Sequence, residues 1–274
     1  MNTLKTLFFL TIVVILTSCK TESQTENTGG LIFEDAKGNK IFLSDLKGAT
    51  GEYNWQIMDE QNISPQAKQL HQEARQHGGK GEYDLAIRKL KEAHQLAPDW
   101  TYPVYDLSYT YLLQQDFTNA LKYYGMTDEM APRGFFTAKT AHWSLKHEQE
   151  GKFQEGLYLA FMQIEWMNSD EEKLQVAKAI SAKFPTFAPA WKIIAGKSDD
   201  LTERLEAIQK GLAADPDAET RGMLLINQAL VKDIQGQNNE AKTILGQLIF
   251  DESTTLANVE MAKFVLSTMA KENK

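Results

Sequence analysis

The stretch that decides the fold is GEYDLAIRKLKEAHQLAP, residues 81–98, which returns in a looser form as QDFTNALKYYGMTDEMAP, residues 115–132. Three pairs of positions correspond at a spacing of 34 residues, namely Tyr83 with Phe117, Ala86 with Ala120, and Pro98 with Pro132. A fixed period of this length is typical of architectures in which a small helical unit is repeated along the chain. We therefore predict two successive repeats between about residues 65 and 132.

Each copy has the residues that a second helix needs after a tight turn. Gly81 suits a turn because positive φ costs glycine little. Ala86, Ala93 and Ala120 are small enough for two helices to cross closely, and a closing proline lacks the amide hydrogen that would continue the helix. The preceding segment has the periodicity of a partner helix, with one apolar face at i, i+3, i+4 and i+7 formed by Val104, Leu107, Ser108 and Tyr111.

The pattern weakens further along the chain. The turn returns as GKF at 151–153 and as GQNNEA at 236–241, and a shortened helix pair is indicated at 191–195 and 205–216. A helix near 170–183 starts at a capping sequence, Ser169-Asp170-Glu171-Glu172, and has no mate in this register. It is either an inserted helix or half of a degenerate pair.

From Pro65 onward we expect about twelve helices of 11–17 residues, each repeat contacting mainly its neighbours. The last helix, about 255–270, should cap the stack with four side chains directed inward: Leu256, Val259, Met261 and Phe264. The groove positions of the last clear repeat, Met223, Ile226 and Leu230, are then expected to be buried under that cap.

The offsets of turn, aromatic, small residue and proline resemble those of the tetratricopeptide repeat family over residues 65–270. The resemblance implies an all-α, right-handed superhelical solenoid of antiparallel helix pairs across 61–274, with a concave groove lined by the first helix of each pair. In the second repeat the groove positions hold Tyr102, Tyr105 and Tyr109, and in the first repeat His71 and Arg75 lie at the rim.

Tyrosines at such positions are typical of binding surfaces, since they offer area and a hydroxyl at little entropy cost. We expect an exported protein or peptide as partner, the alternative being that the tyrosines pack on a neighbouring repeat or on the N-terminal segment. The clamp with which some family members grip a carboxyl terminus is absent from the matching positions, which are His71, Arg75, Asp106, Ala138 and His142.

The N-terminus predicts export and lipid anchoring. The apolar run LFFLTIVVIL at 7–16 is shorter than the about 20 residues that span a bilayer, and it fits a signal peptide over 1–18. The sequence Leu16-Thr17-Ser18-Cys19 resembles the lipobox of bacterial lipoproteins, which implies cleavage after Ser18 and acylation of Cys19 with chains such as palmitate. Residues 19–30 then form a flexible tether. We expect the cell envelope, with the outer membrane favoured and the leaflet open.

Residues 31–60 have a sequence pattern that differs from that of the helical repeats. Apolar runs at 31–33 and 41–43 flank Lys37-Gly38-Asn39, which predicts a short β-hairpin that docks on the first helices. The segment is similar to the hairpin that opens peroxiredoxin-like and thioredoxin-like lipoproteins. Cys19 is the only cysteine of the chain, so thiol redox chemistry is excluded.

The remaining composition favours a non-enzymatic binding protein. A net charge of −8 without a basic stripe argues against nucleic acid. The five histidines form no metal-binding spacing, and no cofactor motif is present. Acidic doublets at 171–172 and 199–200 fit helix capping. Four tryptophans are expected to serve packing: Trp100, Trp143, Trp166 and Trp191. The alternative function is a cell-wall or carbohydrate-binding accessory lipoprotein that uses tryptophans and tyrosines.

Overall fold

The structure, a computed structural model, describes residues 63–272 together with 33–34 and 40–41. Within these residues it is all-helical apart from one short strand pair. The twelve helices are α1 Pro65–Gly79, α2 Tyr83–Leu96, α3 Thr101–Leu113, α4 Phe117–Met130, α5 Ala138–Gln149, α6 Leu157–Met162, α7 Asp170–Lys183, α8 Ala188–Lys197, α9 Leu201–Ala213, α10 Ala218–Ile234, α11 Asn238–Phe250 and α12 Leu256–Glu272, and a 3-10 turn, Gln163–Trp166, continues α6. The predicted signal peptide, Cys19 and the tether lie outside the described residues.

Side-chain caps fix several helix starts. The Ser64 hydroxyl accepts a hydrogen bond from the Ala67 amide at 3.2 Å and Pro65 takes the first helical position, so α1 begins where its sequence dictates. Ser169 accepts from the Glu172 amide at 3.1 Å at the start of α7, and Asp200 accepts from the Thr202 amide at 2.8 Å at the start of α9. The predicted capping by Ser169 and Asp200 is confirmed.

The helices fall into two compact units, and unit 1 contains α1 to α4. It is built of two helix pairs, because α1 packs on α2 and α3 packs on α4 across turns of three residues. Gly81 has φ +78° in the first turn, and Gln115 takes φ 61° at the matching place in the second. Ala86 and Ala120 are at most 1% exposed, as the close crossing requires. The predicted helix pairs are confirmed here.

Unit 2 contains α5 to α12, and its C-terminal part ends in a cap. Helix α8 pairs with α9 and α10 pairs with α11, and α12 covers α10 and α11. Ile226 is 2% exposed inside this cluster, with Met223 and Leu230 packed against it, so burial under the cap is confirmed. The face of α12 was predicted wrongly in part, because Leu256 and Met261 are 40% and 42% exposed. The residues that it buries instead include Ala262, Val265, Leu266 and Met269.

Helix α7 lies between the 3-10 turn and α8 along the chain. It packs on the 3-10 turn and on α8, while α8 makes its main contact with α9. These contacts agree with both alternatives for 170–183, an inserted helix and half of a degenerate pair. The α5, α6 and α8 segments share an aromatic cluster around the fully buried Phe187, whose ring lies 5.4 Å from Phe153, 5.3 Å from Phe161 and 6.2 Å from Trp143.

Unit 2 adds a few long-range contacts to those between neighbouring helices. Helix α5 contacts α10, and the loop before α5 bonds the loop before α12. The Arg133 guanidinium donates to the Thr254 carbonyl at 3.2 Å, and the Leu256 amide donates to the Arg133 carbonyl at 2.8 Å. Thr140 donates to the Asp217 carboxylate at 3.1 Å. Neighbouring helices still make most of the contacts in unit 2, as expected, and the Arg133–Thr254 bond adds a link between residues that are 121 apart.

The approach of α10 to α12 depends on a glycine. A Cβ at Gly222 would lie 2.1 Å from the Asn258 side-chain nitrogen, which is far inside contact distance. Asn258 is 1% exposed and donates to the Glu219 carbonyl at 2.9 Å. The missing side chain therefore allows Asn258 to bond the first turn of α10.

The N-terminal segment is described at four residues. Phe33–Glu34 (β1) pairs antiparallel with Lys40–Ile41 (β2), Phe33 facing Ile41 and Glu34 facing Lys40. The rest of 31–62 lies outside the described residues, so the predicted hairpin and its docking stay predictions. In the described part of the chain, no helix combines the length and apolar character that a bilayer crossing needs.

Candidate partner-binding surface

Helices α1 and α3 of unit 1 bring the predicted groove residues together. His71 and Arg75 on α1 precede Tyr105 and Tyr109 on α3 by one period of 34 residues, so they occupy equivalent positions in consecutive helix pairs. Tyr102 lies one turn before Tyr105. We call these five residues the α1–α3 surface.

A hydrogen-bonded pair that the sequence pattern did not predict forms the centre of this surface. The His71 Nε2 atom lies 2.8 Å from an Asp106 carboxylate oxygen, and the side chains are 10% and 15% exposed. The Arg75 Nε atom lies 4.0 Å from the same oxygen, with its side chain 43% exposed. Asp106 thus draws both basic residues of α1 toward α3. Shielding from water strengthens such hydrogen-bonded pairs and fixes their geometry.

Aromatic rings hold His71 in place. The ring centroid of Trp100 lies 4.8 Å from that of His71 in an edge-on arrangement, and the Tyr102 ring lies 5.9 Å from it. Trp100 is 4% exposed and closes the apolar base with Ala67 and Ala97, against which Ile63 and Tyr102 also pack. His71 is therefore a buried, oriented group below the surface. The prediction that it forms an exposed rim is wrong.

The three tyrosines do not form a continuous exposed stripe. Tyr105 is 7% exposed and packs edge-to-face on Tyr124 of α4, with ring centroids 6.0 Å apart. The prediction that Tyr105 points away from the core is corrected by this contact. Tyr105 lies on the buried side of α3, whereas Tyr102, Asp106 and Tyr109 form its partly exposed face. Tyr102 and Tyr109 are half-buried. What reaches solvent here is Tyr102, Tyr109 and Arg75 around a buried His71–Asp106 pair.

The opposite side of α3 has a different aromatic arrangement. Tyr111 and Tyr123 stack with ring centroids 5.5 Å apart and nearly parallel planes, and the Lys91 ammonium lies 5.6 Å from the Tyr111 centroid. A hydrogen bond to Tyr111 raises the pKa of Lys91 above its ordinary value. These contacts join α2, α3 and α4 and serve stability, which makes Tyr123 a suitable control position.

The histidines, for which the sequence predicts no metal site, make local contacts in the structure. Within the described residues no three His, Cys, Asp or Glu side chains are grouped as metal ligands. His77 pairs with Glu82 at 2.6 Å, and the His147 ring bonds the Trp143 carbonyl at 2.8 Å, so each has a local structural contact.

Comparison with known proteins adds little to this geometry. No protein-family model and no curated protein matches the chain. Similar solved structures include MamA from residue 41 to its end, from Desulfovibrio magneticus RS-1, at 18% identity, covering 68% of this chain and 94% of that one with a TM-score of 0.33. The ArsTM double mutant of MamA RS-1 is 15% identical and covers 77% of this chain and 98% of that one, also with a TM-score of 0.33. Backbones that superpose so poorly say nothing about function.

Proposed function

We propose that this protein is an exported bacterial lipoprotein that holds another exported protein or peptide on its α1–α3 surface. The observation that carries the proposal is the arrangement of half-buried Tyr102 and Tyr109 beside Arg75, over the buried His71–Asp106 pair. The anchor at Cys19 is inferred from the sequence of residues 7–19. Two or more acyl chains hold a protein stably at a membrane, whereas a single chain gives only marginal binding.

The chemistry of the surface suits a polypeptide partner. Tyrosine and arginine are enriched where proteins bind each other, since tyrosine buries a large area and keeps a hydroxyl to pair. The His71–Asp106 hydrogen bond fixes both side chains before a partner arrives, which lowers the entropy cost of binding. A partner would gain ring contact with Tyr102 and Tyr109.

The proposed role is that of a scaffold without catalysis, cofactor or metal. We place the protein at the cell envelope, with the outer membrane favoured and the body facing the periplasm or the cell surface. A net charge of −8 would keep the body away from anionic headgroups, so the acyl chains would supply the membrane contact. A superhelical solenoid over 61–274 and an N-terminal hairpin belong to the same proposal.

Partner capture in intact cells tests the surface. The wild-type lipoprotein, a Tyr102→Ala/Tyr109→Ala variant and a Tyr123→Ala control are crosslinked, purified and compared by mass spectrometry. We expect one exported protein with the wild type and the control, reduced at least about tenfold in the double variant, because each interface tyrosine contributes about 1 kcal/mol or more. Circular dichroism of the purified variants checks that both are folded.

Equal recovery from the wild type and the double variant would show that the α1–α3 surface is not the binding site. A Cys19→Ala variant separates anchoring from binding, because it should leave the membrane fraction while keeping its capture of the purified partner. If that variant remained in the membrane fraction, the lipid anchor would be wrong while the binding surface would stand.

The alternative, a cell-wall or carbohydrate-binding accessory lipoprotein, gains no support at the α1–α3 surface. Trp100 is 4% exposed there and offers no open face to a sugar ring. A sugar-binding role would need another surface of the molecule.

A further inference from the structure

A cleft in unit 2 lies between α7, α8 and α9 and shares no lining residue with the α1–α3 surface. Its volume is about 610 Å³, within the range of about 300–1,000 Å³ that is usual for small-ligand sites. Trp191 of α8 lines it, together with ion-paired side chains of α7 and α9. Small residues, including Ala182, Ala207 and Ala214, leave the cleft open around the indole ring.

Trp191 forms a rigid platform. Its indole nitrogen donates a hydrogen bond to the Pro185 carbonyl at 2.7 Å, which fixes the plane of the ring. The Lys210 ammonium lies 4.8 Å from the ring centroid, but its side chain is 50% exposed and can move aside at little cost. Once Lys210 moves aside, the fixed aromatic face can pack on the C–H face of a sugar ring without an ordering cost for the indole.

The charges around this platform cancel in pairs. Lys178 lies 2.7 Å from Glu203 across the cleft, and Lys210 lies 2.6 Å from Glu206. The four groups sum to zero, so they do not select a charged ligand. Carboxylates accept hydrogen bonds and ammonium groups donate them, and a sugar hydroxyl does both. The cleft therefore offers matched partners to a neutral, hydroxyl-rich molecule.

A peptide fits the lining less well. A peptide main chain presents alternating amide donors and carbonyl acceptors, which carboxamide side chains or free backbone groups pair best. No asparagine or glutamine lines this cleft, and most of its lining residues lie within helices, where the backbone amides are bonded along the helix. We propose that the Trp191 cleft is a binding site for a neutral glycan, with the sugar ring on Trp191 and its hydroxyls bonded to Glu206 and Lys210.

Calorimetric titration of the full-length lipoprotein, in a detergent without sugar headgroups, tests this site. The probes are maltotetraose, cellotetraose, mannotetraose and chitotetraose. We expect at least one to bind with a Kd in the micromolar to millimolar range, and Trp191→Ala to weaken that binding at least about tenfold. Glu206→Gln, at an exposed carboxylate that leaves folding intact, should weaken it severalfold. Trp166→Ala is the matched control, because Trp166 is 47% exposed in the same unit and does not line the cleft.

Two results would overturn the proposal: no heat with any of the four tetrasaccharides at millimolar concentration, or binding that Trp191→Ala and Glu206→Gln leave intact. The site is independent of the proposed scaffold function, since the Tyr102→Ala/Tyr109→Ala variant should bind the glycan like the wild type. The two proposals can therefore be disproved independently, the first by the capture experiment and the second by the glycan titration.

Discussion

The two units of this chain are made of similar helices but are held together differently. In unit 1 the main contacts join helices one or two places apart, as in α1 with α2 and α1 with α3. In unit 2, α5 contacts α10, and the loops before α5 and α12 are hydrogen-bonded. Where contacts are local, the free energy of unfolding is nearly the sum of contributions from each helix pair and its neighbours. Long-range contacts instead make the stability of one segment depend on a distant segment. The difference is therefore expected in how each unit responds to substitution.

The largest expected effect is at Gly222 in unit 2. A Gly222→Ala variant places a Cβ where the Asn258 amide lies, so Asn258 must give up its bond to the Glu219 carbonyl or α12 must move. We expect a loss of about 2–3 kcal/mol in the free energy of unfolding, from overpacking and a lost buried hydrogen bond. Urea denaturation followed by circular dichroism measures it.

The control for Gly222 is Gly79→Ala at the end of α1 in unit 1. A Cβ there meets no atom within 4 Å, so a change within about 0.5 kcal/mol is expected. Equal stability of the two variants would mean that the close α10–α12 approach does not hold in solution.

The sequence predicted unit 1 better than unit 2 for a physical reason. A repeat period encodes contacts at fixed offsets, which is why Ala86 and Ala120 could be placed in the helix crossing. The bond from Arg133 to Thr254 spans 121 residues and has no periodic signal. A contact of this kind can be found only once the chain is folded.

The α1–α3 surface also contains contacts that the repeat pattern could not predict. Repeat offsets predicted His71, Arg75 and the tyrosines on one face, and the structure leaves Arg75, Tyr102 and Tyr109 partly exposed. It buries His71 and Tyr105 instead. The offsets gave no information about the burial of Tyr105, because tyrosines lie on both the buried and the partly exposed face of α3, so polarity does not mark the solvent side. Tyr105 lies one repeat period after His71, and Asp106 is the residue after Tyr105. Two side chains able to hydrogen-bond at this spacing were the available signal for the His71–Asp106 pair.

A medium effect is expected from cutting the long-range bond of unit 2. Arg133→Ala removes the guanidinium that bonds the Thr254 carbonyl, and about 1 kcal/mol should be lost at this partly exposed site. Hydrogen exchange followed by mass spectrometry should speed up at 131–140 and 251–258 together, with unit 1 unchanged. The exposed Arg88 on α2 supplies the control, because Arg88→Ala should alter neither segment. Faster exchange at 131–140 alone would contradict the coupling.

The smallest expected effect concerns a titratable group in each unit. Burial lowers the pKa of His94 in unit 1, whose Nδ1 atom is buried and makes no hydrogen bond. Burial raises the pKa of Glu148 in unit 2, although the carboxylate accepts from the Gly156 and Tyr158 amides at 2.7 and 2.6 Å. The two groups therefore respond to acid with opposite signs.

A lowered histidine pKa means that the stabilising contribution of neutral His94 is present above about pH 6.5 and is lost as the pH falls through the folded-state pKa. A raised carboxyl pKa means that Glu148 favours folding most below its ordinary pKa, so mild acid does not weaken unit 2 through this group. Between neutral and mildly acidic pH, exchange corrected for its intrinsic rate should accelerate in α2 and not around Glu148. His94→Asn should remove the acceleration in α2. Acceleration that persists in this variant would assign the acid sensitivity of unit 1 to another group.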